Sequence, residues 1–176
     1  MEIPSLLRKG KLIVIVAPGT VSEVGSQMIA ELALRGPVTI LDAGNRSAPY
    51  RIAQYLCRKT PSVETIVKRI FIRRAFTCHQ VLELFASIPP LNYPCVVLDM
   101  LATFYDEQIP DHEIKKCFDG CLQNLNRTCL PAPMVMVLNA SPNPSRAFLL
   151  ENLCNRANHV LTLETQTAPI LQPALF

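Results

Sequence analysis

The chain has 176 residues, enough for one domain that buries about two-thirds of its unfolded surface. It is 49% hydrophobic and 18% charged with a formal net charge of +3, a composition that excludes intrinsic disorder. The charge permits nucleic-acid contact but does not argue for it, because DNA-binding domains are usually far more basic. The apolar run Leu12–Ala17 is too short for a membrane span, and Met1–Lys11 lacks the apolar core of a secretory signal. We therefore expect no membrane contact and no cleaved leader.

The seven cysteines indicate reduced thiols rather than a disulfide framework. Their number is odd, their spacing is irregular, and no Cys-x-x-Cys pair occurs. We interpret most of them as small core residues of a cytoplasmic protein, or of a nuclear one if the source is eukaryotic.

Predicted strands and helices alternate along most of the chain. In chain order they are a strand at Lys11–Ala17, a helix at Glu23–Arg35, a strand at Pro37–Ala43, a helix at about Ala48–Lys59, a strand at Lys68–Arg73, a helix at Thr77–Ser87, a strand at Pro94–Met100, a helix at about Asp111–Arg127, a strand at Pro133–Asn139, a helix at Ser145–Arg156 and a strand at His159–Leu163. Strands rich in Val, Ile and Leu that alternate with helices predict an α/β fold. Its central sheet should be mostly parallel and flanked by helices, in three layers.

Residues 1–164 are expected to form a single domain, because no repeat and no linker interrupts this alternation. Thr165–Phe176 lies outside it, contains two prolines and ends in Ala-Leu-Phe. We interpret this segment as a C-terminal tail that packs on the domain edge. A docking peptide for a partner protein is the alternative.

Several predicted strands end in small or polar residues, at the edge where parallel sheets bind ligands. A strand followed by a glycine-containing turn and a helix presents backbone N–H groups to phosphate. The candidate cofactor-binding residues are the small and polar residues of the first turn and helix and the acidic residues that follow two other strands: Gly19, Thr20, Ser22, Gly25, Ser26, Asp42 and Asp99.

The first turn departs from a working phosphate loop. In the pattern Gly-x-x-x-x-Gly-Lys-[Ser/Thr], the Lys neutralises the terminal phosphates and the hydroxyl binds Mg²⁺. Residues 17–26 read Ala-Pro-Gly-Thr-Val-Ser-Glu-Val-Gly-Ser, and no lysine occurs between Leu12 and Arg58. Glu23 at the lysine position would repel the phosphates by about 1–4 kcal/mol. The turn is therefore either a relic or a site for something less anionic than ATP.

Four stretches, in their order and spacing, resemble the core ATPase domain of the RecA-like recombinase family and its paralogues. The stretches are Leu12–Leu34, Val38–Gly44 with Ala48–Leu56, Ile70–Gln80 leading into Val81–Phe85, and Cys95–Asp99 with Leu101–Phe104. The third is the most specific, because a basic-Ala strand end followed by His-Gln and an apolar helix recurs in that family. From Lys11 to about Leu163, the resemblance implies a RecA-like P-loop NTPase fold.

The same resemblance implies that catalytic groups are missing. Family members carry a phosphate-loop Lys, and a Glu at the end of the second strand that activates the attacking water. Here that strand ends in Asp42-Ala43-Gly44, whereas Asp99 matches the family's Mg²⁺-associated carboxylate. One carboxylate without these partners cannot support phosphoryl transfer. We therefore expect no catalytic residues, and at most ATP binding without hydrolysis.

DNA contacts are also expected to be reduced. In the family, flexible loops that bind single strands follow the strands that here end at Asp99 and Asn139, and the second of these loops is short and contains two prolines. The family's Phe-x-x-Ala self-assembly peptide is not recognisable. The candidate nucleic-acid contacts are basic residues near two predicted strand ends: Arg46, Arg51, Arg73 and Arg74. Solvated ends of these elements are the alternative.

The histidines and cysteines predict no metal site. His112, Cys117 and Cys121 fall near one face of the long helix, but a zinc site would need a fourth ligand and a better spacing. His79, beside Cys78 at a helix start, is interpreted as a helix cap or core residue. No histidine falls at a strand's carboxyl end, so no Ser-His-Asp arrangement is expected.

Three functional hypotheses follow. The first is a non-catalytic RecA-like subunit that binds other RecA-like or repair-complex subunits, and single-stranded DNA weakly, in recombination or repair. The second is a regulatory nucleotide-binding protein with an atypical phosphate loop, in which Arg46 or a partner's residue supplies the positive charge. The third is a purely structural adaptor whose crevice is vestigial.

Overall fold

The computed structural model describes residues 7–129, 131–140 and 143–164, so the predicted tail Thr165–Phe176 lies outside the described residues. The strands are β1 (Leu12–Val16), β2 (Val38–Asp42), β3 (Ile70–Arg74), β4 (Cys95–Leu98), β5 (Met134–Leu138) and β6 (His159–Thr162). The helices are α1 (Val21–Arg35), α2 (Pro49–Cys57), α3 (Val63–Val67), α4 (Cys78–Ser87), α5 (Asp111–Cys129) and α6 (Ala147–Arg156). Two 3₁₀ helices span Met100–Tyr105 and Pro144–Arg146.

The six strands form one sheet in the order β3-β2-β4-β5-β1-β6, and every pairing between them is parallel. The α/β prediction is confirmed, and the sheet is more uniform than the mostly parallel one expected. In the centre, Leu12–Val16 pairs in register with Met134–Leu138. Because all strands run the same way, their carboxyl ends meet at one edge.

Helices cover both faces of the sheet. Alternate residues of β1 enter two different cores, with Ile13 and Ile15 on the side of α1–α3 and Leu12, Val14 and Val16 on the side of α4–α6. This division explains why β1, β4 and β5 are apolar throughout rather than alternating with polar residues. No helix among the described residues is both long and apolar enough to cross a membrane.

The strand order creates crevices at the carboxyl edge. The loops after β1 and β2 lead to helices on one face, and those after β3, β4 and β5 lead to the other. Neighbouring strands whose loops diverge in this way leave a gap, which is where parallel sheets bind ligands. Such gaps lie between β2 and β4, between β2 and β3, and between β1 and β5.

Two local elements differ from the sequence prediction. The strand expected at Pro94–Met100 ends at Leu98, because Asp99 adopts a left-handed conformation (φ 48°) and Met100 begins a 3₁₀ helix. Helix α3 was not predicted, since its five residues are too few to show a helical period.

A buried arginine fixes the loop between the first 3₁₀ helix and α5. Arg146 donates hydrogen bonds to the carbonyl oxygens of Phe104, Asp106 and Ile109 at 2.6–2.8 Å. It also forms an ion pair with Asp111 at 2.8 Å. One side chain thus satisfies three backbone acceptors next to the sheet's carboxyl edge.

Candidate functional site

Asp99 lies directly after β4 and is 1% exposed. Its Oδ1 accepts the backbone N–H of Asn139 at 3.1 Å, and its Oδ2 accepts Nε of Arg46 at 2.8 Å. A buried carboxylate is costly unless it is paired and hydrogen-bonded, and these two donors meet both conditions. The cation that faces Asp99 is therefore a side chain of the protein itself.

Asp42, the last residue of β2, is fully buried and has a similar environment. Its two oxygens accept the backbone N–H groups of Arg46 at 2.7 Å and Ser47 at 3.1 Å. Arg74 Nε pairs with Oδ2 at 3.2 Å and Arg74 also donates to Ser47 Oγ at 2.7 Å. Asp42 therefore holds the loop that follows β2 in place.

Gly44 allows the loops after β2 and β4 to touch. A Cβ at this position would come within 2.5 Å of Asp99 Cβ and 2.8 Å of the Asp99 carbonyl oxygen. Real Cβ atoms do not approach other atoms this closely, so any side chain here would push the two loops apart. The absence of a side chain at Gly44 is thus a condition for the Arg46–Asp99 contact.

The turn after β1 spans only residues 17–20. Gly19 has a positive φ of 70° and donates its N–H to Oδ1 of Asn139 at 3.1 Å. Thr20 precedes α1 without capping it through its side chain. The Gly19 N–H, which a phosphate-binding turn would present to its ligand, is bonded to the neighbouring strand's loop.

Two of the remaining predicted residues, Gly25 and Ser26, are buried in the first helix. Gly25 packs on Leu98, where an added Cβ would lie 2.5 Å from Cδ2. Ser26 is buried and donates its hydroxyl to the Ser22 carbonyl oxygen at 2.6 Å. Ser22 is half-buried, and Gly19 and Thr20 lie in the turn at the open edge of the sheet.

The four candidate nucleic-acid contacts do not form one patch. Arg46 and Arg74 belong to the carboxylate network above, with side chains 44% and 41% exposed. Arg73 instead donates to Ser87 Oγ of α4 at 3.2 Å. Arg51 lines a separate polar cleft of about 220 Å³, together with Glu23, Gln54, Tyr55 and Arg58.

A cavity of about 280 Å³ opens between the ends of β2 and β3. Its lining includes Asn45, Phe76, Thr103 and Asp106. The Thr103 hydroxyl oxygen is buried and has no hydrogen-bond partner among the described residues. The volume is close to the lower end of the range for small-molecule pockets.

His112 does not join Cys117 and Cys121, since it lines a surface depression with Asp111, Lys115 and Phe148. Instead, Cys78 of α4 faces Cys117. Burial, followed by the neighbouring Cys117, raises the pKa of Cys78 to about 11 and that of Cys121 to about 12.

His79 is exposed and does not cap α4, because that cap is Thr77, whose side chain accepts the Gln80 N–H. Its interpretation as a cap or core residue was wrong.

Sequence reasoning identified Asp42, Asp99, Arg46 and Arg74 separately but did not pair them. One signal was available for the Asp42–Arg74 pair, because both residues end parallel strands and are partners in register. No comparable signal exists for Arg46 and Asp99, which are 53 positions apart and meet only through the left-handed turn and Gly44.

Comparison with known proteins adds no family to this geometry. No family model matches the chain, and no curated protein matches it significantly. The functional argument therefore depends on the contacts described above.

Proposed function

We propose that this protein is a non-catalytic subunit similar to the RecA-like recombinase core, which acts as a protein- and DNA-binding partner in recombination or repair. The observation that carries the proposal is the Arg46–Asp99 pair. By the resemblance, Asp99 occupies the position of the carboxylate associated with Mg²⁺. Its oxygens here are bonded to a guanidinium and to a backbone N–H of the same chain.

The other requirements of phosphoryl transfer are also unmet at this edge. That reaction depends on a cation at the phosphates, a bound Mg²⁺ and a group that orients the attacking water. The first turn contains no lysine. Asp42 is followed by Ala43 and Gly44, so no Glu is present where the resemblance implies the water-activating one. We therefore expect the purified chain to show no ATP hydrolysis. Turnover by the pure chain that is lost in Asp99→Ala would contradict the proposal.

Partly exposed guanidinium groups support a weak interaction with single-stranded DNA. Arg46 and Arg74 keep more than a third of their side chains exposed, although each is partly neutralised by an aspartate. Arg73 and Arg51 are exposed without an ion pair to an acidic residue among the described residues. A small number of phosphate contacts should give weak binding that falls steeply with salt.

Fluorescence anisotropy with a labelled single-stranded oligonucleotide over a salt series tests this part. Arg73→Ala and Arg51→Ala should each weaken binding and reduce the slope of log affinity against log salt by about 0.7. Lys115→Ala and Lys116→Ala, on the exposed side of α5, are the matched controls and should leave the slope unchanged. Equal losses in the control variants would assign the binding to general charge rather than to these two arginines.

An exposed sheet edge supports a protein partner. Among the described residues strand β3 pairs only with β2, so its other side is an edge of the sheet that a further strand could extend. Phe71 and Ile72 of this strand are 50% and 40% exposed. In complexes captured from the native host, Ile72→Lys should lose RecA-like subunits, whereas Val160→Lys on the opposite edge strand should retain them. Retention by both variants would exclude β3 as the contact.

The cavity beside the crevice favours a second candidate, a regulatory nucleotide-binding protein. Its supporting observation is Thr103 of the cavity lining, whose buried hydroxyl has no hydrogen-bond partner among the described residues. Calorimetric titration with adenine and guanine nucleotides should then give saturable heat that Thr103→Val reduces. The absence of heat with any nucleotide would remove this candidate.

A further inference from the structure

A second cluster of reactive side chains lies where the start of α4 meets α5. Cys78 and His79 are the first two residues of α4, and Cys117 is on α5. The two sulfur atoms and a ring nitrogen of His79 all lie within 4.8 Å of one another. None of these atoms takes part in the proposed function of the crevice.

One distance in this cluster matches the separation of neighbouring ligands of a metal ion. In a tetrahedral zinc site, with Zn–S bonds of about 2.3 Å and Zn–N bonds of about 2.0–2.1 Å, neighbouring sulfur and nitrogen ligands are about 3.6 Å apart. Cys78 Sγ and His79 Nδ1 are 3.6 Å apart. The two ligand atoms are thus already at the separation that one shared ion requires.

Glu113 prepares the imidazole for this role. Its Oε1 lies 2.7 Å from His79 Nε2 and, as a carboxylate, accepts the proton carried by that nitrogen. In the neutral imidazole, Nδ1 then carries the lone pair that accepts the Cys78 S–H, and a metal ion would take the place of that proton. Metal-binding histidines in proteins are commonly oriented by a carboxylate in this way.

The two thiols are shielded from solvent, whereas the imidazole is accessible. Cys78 is fully buried and Cys117 nearly so, whereas the His79 side chain is 51% exposed. An ion could therefore enter from the histidine side and bind against two thiols that are protected from solvent. Cys121, one turn beyond Cys117, lies outside the group of three.

We propose that Cys78, His79 and Cys117 bind one zinc ion, with Glu113 orienting the imidazole and water completing the coordination. Two sulfur ligands and one imidazole suit Zn²⁺, whereas Mg²⁺ and Ca²⁺ prefer oxygen ligands. The ion would fasten the start of α4 to α5. It would thereby steady the preceding turn, whose Phe76 and Thr77 line the cavity beside the crevice.

The test is zinc and cobalt binding by the full chain, purified under reducing conditions with any affinity tag removed. Zinc should bind at one equivalent in competition with a chromogenic chelator and should raise the thermal unfolding midpoint. Co²⁺ should give sulfur-to-metal charge-transfer absorption in the near ultraviolet. His79→Asn and Cys117→Ser should lose both signals, and Glu113→Gln should bind zinc about 10–100-fold more weakly.

Two control variants match these changes. His112→Asn replaces another exposed histidine, and Cys154→Ser replaces a half-buried cysteine outside the cluster. Both should bind zinc with the affinity of the unmodified protein. Because His79 is exposed, His79→Asn is expected to fold. If Cys117→Ser fails to fold, zinc binding by His79→Asn alone tests the proposed site.

Three results would overturn the proposal. The first is the absence of saturable zinc and cobalt binding by the reduced protein. The second is unchanged binding in folded His79→Asn. The third is a Cys78–Cys117 disulfide in protein purified without an oxidant, since that bond would consume two of the three ligands.

Discussion

The buried carboxylate of Asp99 should depend on Arg46 for a measurable part of the protein's stability. Arg46→Ala removes the guanidinium and leaves Asp99 with the Asn139 N–H as its remaining donor. The backbone N–H of residue 46 still reaches Asp42, so the loop keeps its main anchor. Asp99→Asn makes the complementary change and leaves Arg46 free to turn toward solvent.

The geometry sets the size of the effect. Two unit charges about 4 Å apart interact by about 4 kcal/mol at an effective dielectric of 20 and by about 1 kcal/mol in bulk water. Asp99 is buried, but the Arg46 side chain is 44% exposed, and solvent screens the pair. We therefore expect a coupling free energy of about 1–2 kcal/mol, with Arg46→Ala the more damaging single change because it leaves the buried charge without its cation.

The assay is urea unfolding of the unmodified protein, the two single variants and the double variant, combined as a double-mutant cycle. The matched control is the exposed pair formed by Glu64 of α3 and Lys68, which directly follows that helix, with Nζ and Oε1 3.1 Å apart but side chains 89% and 73% exposed. That pair should show a coupling of about 0.3–0.5 kcal/mol. Both cycles measure an ion pair of similar length, so any difference between them reports burial.

A coupling for Arg46 and Asp99 no larger than that of the control pair would refute this reasoning. Asp99 would then be satisfied without its arginine. Its pairing with Arg46 would then not oppose the binding of Mg²⁺ at the crevice.

Three further predictions concern other parts of the fold. Gly44→Ala should destabilise the protein by about 1–3 kcal/mol in urea unfolding, because the added Cβ would collide with Asp99. Gly36→Ala should cost far less, because there is open space around Gly36, and equal effects of the two variants would contradict the close approach at Gly44. Arg146→Ala should lower the free energy of unfolding by about 2 kcal/mol or more, since three carbonyl oxygens lose their donor, and it should speed hydrogen exchange in residues 104–111. An effect as small as that of Arg156→Ala, which replaces an exposed arginine, would show that the loop does not depend on Arg146. Iodoacetamide at neutral pH should label the exposed Cys57 first, as followed by mass spectrometry. Half-buried Cys154 should react more slowly, because burial raises the pKa of its thiol, and buried Cys95 should react only after unfolding. Early labelling of Cys95 would contradict its packing.

The alternation of strands and helices could be predicted from the sequence because apolar runs and helical periods are local signals. The runs around Ile13, Val97 and Val135 are apolar throughout, which indicates burial on both faces of a sheet. Local patterns also suggested that Asp42 and Asp99 follow strands at the edge where ligands bind. The predictions from local sequence failed where the structure is short or irregular, as at the five-residue helix α3 and at Asp99 with its left-handed backbone.

The partners of those residues were decided by tertiary structure. Arg46 reaches Asp99 because Gly44 lets two loops touch, and Cys78 reaches Cys117 because α4 packs on α5. Neither contact leaves a periodic trace in the sequence, since it joins residues 39–53 positions apart through the packing of separate elements. The sequence alone therefore determined an α/β architecture and a glycine-containing first turn that has no lysine. Only the fold decided that the acidic residues at the crevice are neutralised by the protein's own arginines, because charge neutralisation depends on distance in space rather than along the chain.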